Sequence, residues 1–483
     1  MSRPHTYLFP RAPTWRAFAG ALALALLGAS AWAQPPSVAP APSAEAFDAH
    51  LRAATAERLG DYRGEHRRQL RRRYEDRDAH LRDAYAAGAF LREGEWAAWL
   101  RALTERIRAA NPAGLGHAAL VPLVRRSPAV NARCYGNGVV AVDLGLLARA
   151  PSADAVAFAL CHELAHQALD HVGLSVAEQL DVLYRDDTQR ALRRARRDGG
   201  YDDFVALTER LAFDRSRHTR FGERAADSLG LVFYRAAGFA PGGPAAMLRV
   251  LATADQPADA APLPLSRLLD TEAYPFDEDW LQTPASAFLS REDELSPEAR
   301  DSLQTHPDIQ SRLASLSRSG VDTAAAPTPD SVYLERRRTV RGLLTEAAFD
   351  GARLDLALYY ALRGVEADPA DAYARGAAAL ALADLARARA ELDFDAVAPL
   401  PSLHDDAHTR ALARLLHGLR RSQLRRLARA YAAEVPEALA TPQSLAAVVI
   451  AGPADAADEA RVSAAEARLR KTFPDHALLA RLE

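Results

Sequence analysis

The chain has 483 residues, enough for two or three domains of ordinary size. Hydrophobic residues make up 49% and charged residues 25%, which excludes a disordered or fibrous chain. The formal net charge of -3 lacks the basic excess of a dedicated nucleic-acid binder, and among 60 basic residues Lys471 is the sole lysine.

In chain order, Arg3, Arg11 and Arg16 flank or precede an apolar run from Ala17 to Ala31, and Ala31 and Ala33 are small residues at an Ala-x-Ala spacing. Residues 1–33 therefore read as an export signal cleaved after Ala33. The run is shorter than the roughly 20 apolar residues of a membrane span. The mature protein is expected to be periplasmic, with no stable membrane span after cleavage. In that compartment Cys134 and Cys161 are candidates for a disulfide; the alternative is a small buried apolar side chain at each position.

Residues 34–46 form a Pro/Ala/Ser linker. From Phe47 to Ala110 the chain is rich in Arg, Glu, Asp and Ala, and predicts one or two long, exposed helices with a solvated charged face. Two β-rich runs follow, AALVPLVRRS and GVVAVDLGLL, with YGNG turn chemistry between them. A helix is expected from about Ala153 to His171, with Ser152 and Asp154 at its start and Gly173 as its stop. Another is expected from about Tyr201 to Arg235. Residues 256–303 are Pro- and acid-rich, and irregular chain of that length inside a domain is functional or mobile.

The stretch TAAAPTPDS, Thr323 to Ser331, marks a boundary between residues 47–322 and residues 323–483. Beyond it the sequence is helical and alanine-rich. Ala357, Ala361, Gly364 and Pro369 fall where a tetratricopeptide repeat packs its second helix; a generic helical bundle is the alternative. The expected fold is mainly α with a small β-sheet, an α+β domain, followed by an all-α helical-repeat-like domain.

The stretch ALCHELAHQALDH carries the chemistry. His162 and His166 are four residues apart, so on a helix they lie about 40° apart on one face, a turn from each other. Both imidazoles can then reach one zinc ion at about 2.0–2.1 Å. Glu163, one step round, is placed to take a proton from a zinc-bound water. His171 lies five residues past His166, about 140° further round if the helix runs on, and reads as a helix-end histidine satisfied by terminal carbonyls. A third ligand is sought downstream. Glu223 in GERAADSLG is a candidate, with Asp227 one turn on; the alternative is that both are ordinary charges on an alanine-rich helix.

HELAH, then ERAAD, AGFAP and THPDIQSRL in that order, with NARCYGNGVVAVDLGLL upstream, resemble the family of zinc peptidases that includes HtpX, the CAAX prenyl protease and BepA, gluzincins with an HExxH…ExxAD signature. The resemblance covers roughly Leu100 to Leu316. It implies that His162, His166 and Glu223 ligate Zn2+, that Glu163 is the general base, and that Asp227 supports a ligand. It also implies that His306 sits near the active centre, donating to the oxyanion or occupying the fourth zinc position, and that Arg312 follows it there. Two departures stand out: Tyr135–Gly138 replaces the family's Pro-Gly-Gly, and Cys161 precedes the first histidine.

The expected function is a periplasmic zinc endopeptidase, and the resemblance implies that its substrates are misfolded or unassembled envelope proteins. Outer-membrane proteins or their assembly machinery are the candidate partners. Substrate is expected to extend along an edge strand near Val139–Val142, with the C-terminal helices selecting clients. The competing expectation is a helical-repeat chaperone or assembly factor with a latent zinc site.

Overall fold

The computed structural model describes residues 40–60, 63–116, 119–184, 190, 222–254, 256, 261–282, 309–325, 330–404 and 406–482. The expected signal peptide lies outside the described residues. Residues 39–483 belong to one compact unit.

Four strands form one sheet: β1 (Phe90–Leu91), β2 (Val121–Arg125), β3 (Ala132–Cys134) and β4 (Val139–Asp143), in the order β1-β2-β4-β3. β1 runs antiparallel to β2, β2 parallel to β4, and β3 antiparallel to β4. The two β-rich runs of the sequence are thus the two central strands, paired Val121 to Val139 through Arg125 to Asp143. Every residue of β4 is buried. Among the described residues the edge strands are β1 and β3, not the Val139–Val142 segment expected from the sequence: continuous apolar character marks a strand covered on both sides, and β4 has β2 and β3 as neighbours.

Side chains alternate across the sheet. Val139 and Ala141 pack with Phe47 and Leu51 of α1 (Ala44–Leu59) and Leu81 and Tyr85 of α2 (Gly64–Ala86). Val140 and Val142 face the larger core with α3 (Glu95–Ala110) and α4 (Ala153–Ala168). The Arg-rich N-terminal segment is therefore three helices, not exposed rods: each of the first two buries one apolar stripe under its charged face.

β3 and β4 are joined by Tyr135-Gly136-Asn137-Gly138, with Gly136 at φ 74° and Gly138 at φ 81°. A β-carbon at Gly138 would lie 2.1 Å from the Ala119 carbonyl oxygen, so this turn requires glycine on two counts. The departure from Pro-Gly-Gly thus keeps its glycines where the backbone needs them.

α4 starts as the sequence predicts: Ser152 Oγ accepts from the Ala155 N–H at 3.2 Å. It ends earlier than predicted. Asp170 takes a left-handed conformation, φ 54°, and a new helix, α5 (His171–Tyr184), begins at once. Gly173 lies inside α5 and is not the stop. Further on come α6 (residues 222–236), α7 (Gly243–Ala252) and α8 (Ile309–Arg318).

The C-terminal region is all helical. α9 (Val340–Asp350), α10 (Leu354–Ala367) and α11 (Ala372–Glu391) pack in succession, followed by α12 (Ala407–Gly418), α13 (Arg421–Ala433), α14 (Pro442–Ala451) and α15 (Ala456–Thr472). Ala357, Ala361 and Gly364 are buried in α10 at its crossings. α11 is covered by α10, α13 and α14 and buries residues all round, as a central bundle helix does. The boundary marked by Thr323–Ser331 is no gap in packing. Tyr333 sits in the sheet-side core, where its hydroxyl donates to the Leu147 carbonyl at 2.7 Å. Conversely, Leu263, Leu265 and Leu269 pack into the core of the C-terminal helices. No helix among the described residues is long and apolar enough to cross a membrane.

Candidate metal centre

Two helices bring the charged residues of the candidate centre together. α4 carries His162, Glu163 and His166 on a segment buried almost throughout. α6 crosses it at Gly230, where a β-carbon would lie 3.1 Å from both the nitrogen and the α-carbon of His162. That close approach, two turns beyond Glu223 on α6, lets Glu223 and Asp227 reach the histidines.

Three ligand residues converge. His162 Nε2 and His166 Nε2 are 3.0 Å apart. Glu223 Oε2 is 3.3 Å from His162 Nε2, and Glu223 Oε1 is 3.3 Å from His166 Nε2. Ligands about 2.0–2.1 Å from a tetrahedral zinc ion stand about 3.3 Å from each other. Glu223 Oε2 is buried, with its charge facing His162 and the Arg312 guanidinium. These three residues can therefore hold one metal ion.

Behind the ligands lies a rigid polar layer. His162 Nδ1 is 3.0 Å from Asp227 Oδ1. Arg312 of α8, 3% exposed, clamps Asp227 bidentately at 2.7 and 2.8 Å and lies 3.1 Å from Glu223 Oε2. Burial would strip His162 of a proton, but Asp227 and Glu223 outweigh it and push its pKa up to about 10. Burial likewise works against the Glu223 and Asp227 carboxylates, yet hydrogen bonding to His162 and the charge of Arg312 lower both pKa values. Two carboxylates, Glu223 and Asp227, thus stand against one guanidinium, Arg312, and a proton on His162 or a cation where the ligand residues meet balances the remaining charge.

Glu163 is 8% exposed beside His162. His306 lies outside the described residues. His171 departs from its sequence reading. The left-handed turn at Asp170 breaks the 100° progression, so the ring swings back and its Nδ1 lies 2.9 Å from His166 Nδ1. Burial and the neighbouring His166 push its pKa down to about 4. Neither cysteine forms a disulfide: Cys161 is buried and Cys134 is half-buried, 3.6 Å from the Gln167 side-chain oxygen. Gln167 had no sequence signal. Its oxygen also accepts from the Gly138 N–H at 3.0 Å and so ties the β3–β4 turn to the motif helix.

Residues 96–319 match the family model described as Peptidase family M48. Over this segment, a little under half of its length, the chain is similar to metallopeptidases of the M48 type. The segment's bounds run from α3 through α8 and enclose the sheet strands β2 to β4, both crossing helices and Arg312. No curated protein matches the chain.

Proposed function

We propose that the chain is a zinc endopeptidase whose ligands are His162, His166 and Glu223 and whose general base is Glu163. The observation that carries this reading is the convergence of the two imidazole Nε2 atoms, 3.0 Å apart, on the Glu223 carboxylate, whose two oxygens each stand 3.3 Å from one of them, backed by Asp227 and Arg312. Zinc in such a centre supplies a Lewis acid and acidifies a water towards neutral pH.

The chain's own residues do the rest. Glu163 takes the water proton and delivers it to the leaving amine. Asp227 fixes the His162 tautomer by accepting from Nδ1, which leaves Nε2 to the metal. His306 is the residue assigned to the oxyanion or to the fourth ligand position. A substrate strand adds to β3. Main-chain bonds from Tyr135 N to Val139 O and from Asp143 N to Asn131 O alternate along this ladder, so the N–H and C=O of Ala132 and Cys134 point away from β4, towards the side of β3 that no strand among the described residues pairs with. Backbone pairing reads little sequence, so the C-terminal helices are the proposed client selectors. Misfolded or unassembled envelope proteins are the proposed clients, in a periplasmic setting.

The test uses protein purified from an exporting cell, with a mature N-terminus at Gln34 expected. Glu163→Gln retains one zinc per chain and loses casein cleavage by about 10²–10⁴-fold. Cleavage by that variant at the wild-type rate would overturn the mechanism.

A further inference from the structure

We infer that His171 is a positioning residue for the metal centre: it accepts the Nδ1–H of His166 and thereby fixes which nitrogen of that ligand faces the metal. The inference rests on the metal reading above and adds a residue to it.

Tautomer chemistry decides the roles of the two rings. A histidine that ligates through Nε2 carries its proton on Nδ1 and needs an acceptor there. For His162 that acceptor is Asp227, at 3.0 Å. For His166 the atom 2.9 Å from Nδ1 is the Nδ1 of His171. Two ring nitrogens at that distance share one proton. If His166 holds it, His171 accepts through Nδ1 and carries its own proton on Nε2, so His171 is neutral. The rings stand at 73° with centroids 4.9 Å apart, an arrangement that directs one ring's edge at the other.

The segment bearing His171 is held from three sides. Asp170, in its left-handed conformation, pairs with Arg58 of α1 at 2.7 Å. Val172 packs against the β3–β4 turn at Gly136, where a β-carbon would come within 2.6 Å of it. The His171 ring lies along Gly222, next to Glu223, at ordinary contact distance from the position a β-carbon there would take. The two ligands are then supported unequally: His162 by a carboxylate, His166 by a neutral imidazole, which is the weaker acceptor.

Two substitutions separate the hydrogen bond from the volume of the ring. In His171→Asn the amide oxygen takes the place of Nδ1; in His171→Leu no acceptor remains. Zinc affinity is measured by chelator competition on the full chain, with the thermal midpoint of the metal-free protein recorded alongside. Leucine is expected to weaken zinc binding by about 10–100-fold, and asparagine to stay within about threefold of wild type. Equal affinity for wild type and His171→Leu overturns the inference, because water then serves His166 as well. An asparagine variant as weak as leucine also overturns it. In the zinc-loaded wild type, long-range 1H–15N spectra are expected to show His166 protonated on Nδ1 and His171 on Nε2. The reverse assignment overturns the inference even if a variant fails to fold. If wild type itself binds no zinc, the metal reading fails as a whole, a result distinct from either of these.

Discussion

The crossing of α4 and α6 yields the sharpest test of how the ligands are brought together. Gly230→Ala adds one methyl group at the crossing. Its carbon would sit 3.1 Å from His162 N and Cα and 3.2 Å from the Cys161 carbonyl carbon. Those distances are about 0.3–0.9 Å inside the optimum for non-bonded carbons. The opposing atoms are backbone of a buried helix and cannot swing aside as a side chain would. Overpacking of this kind costs about 1–3 kcal/mol, whereas alanine gains about 1 kcal/mol over glycine in a helix interior. The expected net result is a destabilisation of about 0–2 kcal/mol, with Glu223 and Asp227 displaced from the histidines. Urea unfolding of the metal-free protein and zinc competition measure the two effects. A variant about 1 kcal/mol more stable than wild type, with unchanged zinc affinity, would show that the helices do not meet this closely and refute the reasoning.

Gln167→Leu leaves the Gly138 N–H without its side-chain acceptor and frees the β3–β4 turn. KM for an extended peptide is expected to rise severalfold while bound zinc stays at one per chain; an unchanged KM would remove β3 from the substrate path. In the C-terminal helices, His404 is buried with its Nε2 3.2 Å from Asp355 Oδ2, and burial, partly offset by Asp355, lowers its pKa. Its folded pKa lies below the unfolded value, so the unfolded chain binds more protons between the two. The contribution is therefore intact above about pH 6.5 and is lost as pH falls towards the lowered pKa, by at most about 1.4 kcal/mol per pH unit. His404→Gln is expected to flatten that part of a stability–pH curve, and an unaltered slope would contradict the assignment.

What the sequence disclosed was local or periodic. The four-residue spacing of His162 and His166 and the Ser152 cap fix one helix face wherever the chain goes next. The long apolar runs at Val121–Arg125 and Val139–Asp143 disclosed strands but not their places in the sheet, because pairing is non-local and β3 is only three residues long. His171 was misplaced for a different reason. Periodicity assumes an unbroken helix, and one left-handed residue at Asp170 redirects everything after it. The convergence of Glu223 on the histidines depends on an interhelical distance that only Gly230 records, and a lone glycine in a helix does not say which helix it meets. The charged N-terminal helices hid their buried stripe because apolar positions such as Phe47, Leu51 and Leu70 are sparse among arginines and acids.

Zinc K-edge absorption spectroscopy of the purified, zinc-loaded chain tests the central claim most directly. The account predicts one zinc per chain with two imidazole nitrogens bound directly to it, and loss of that signal in Glu223→Ala measured at limiting zinc. A zinc ion without two imidazole neighbours, or an unchanged spectrum and occupancy in Glu223→Ala, would contradict it.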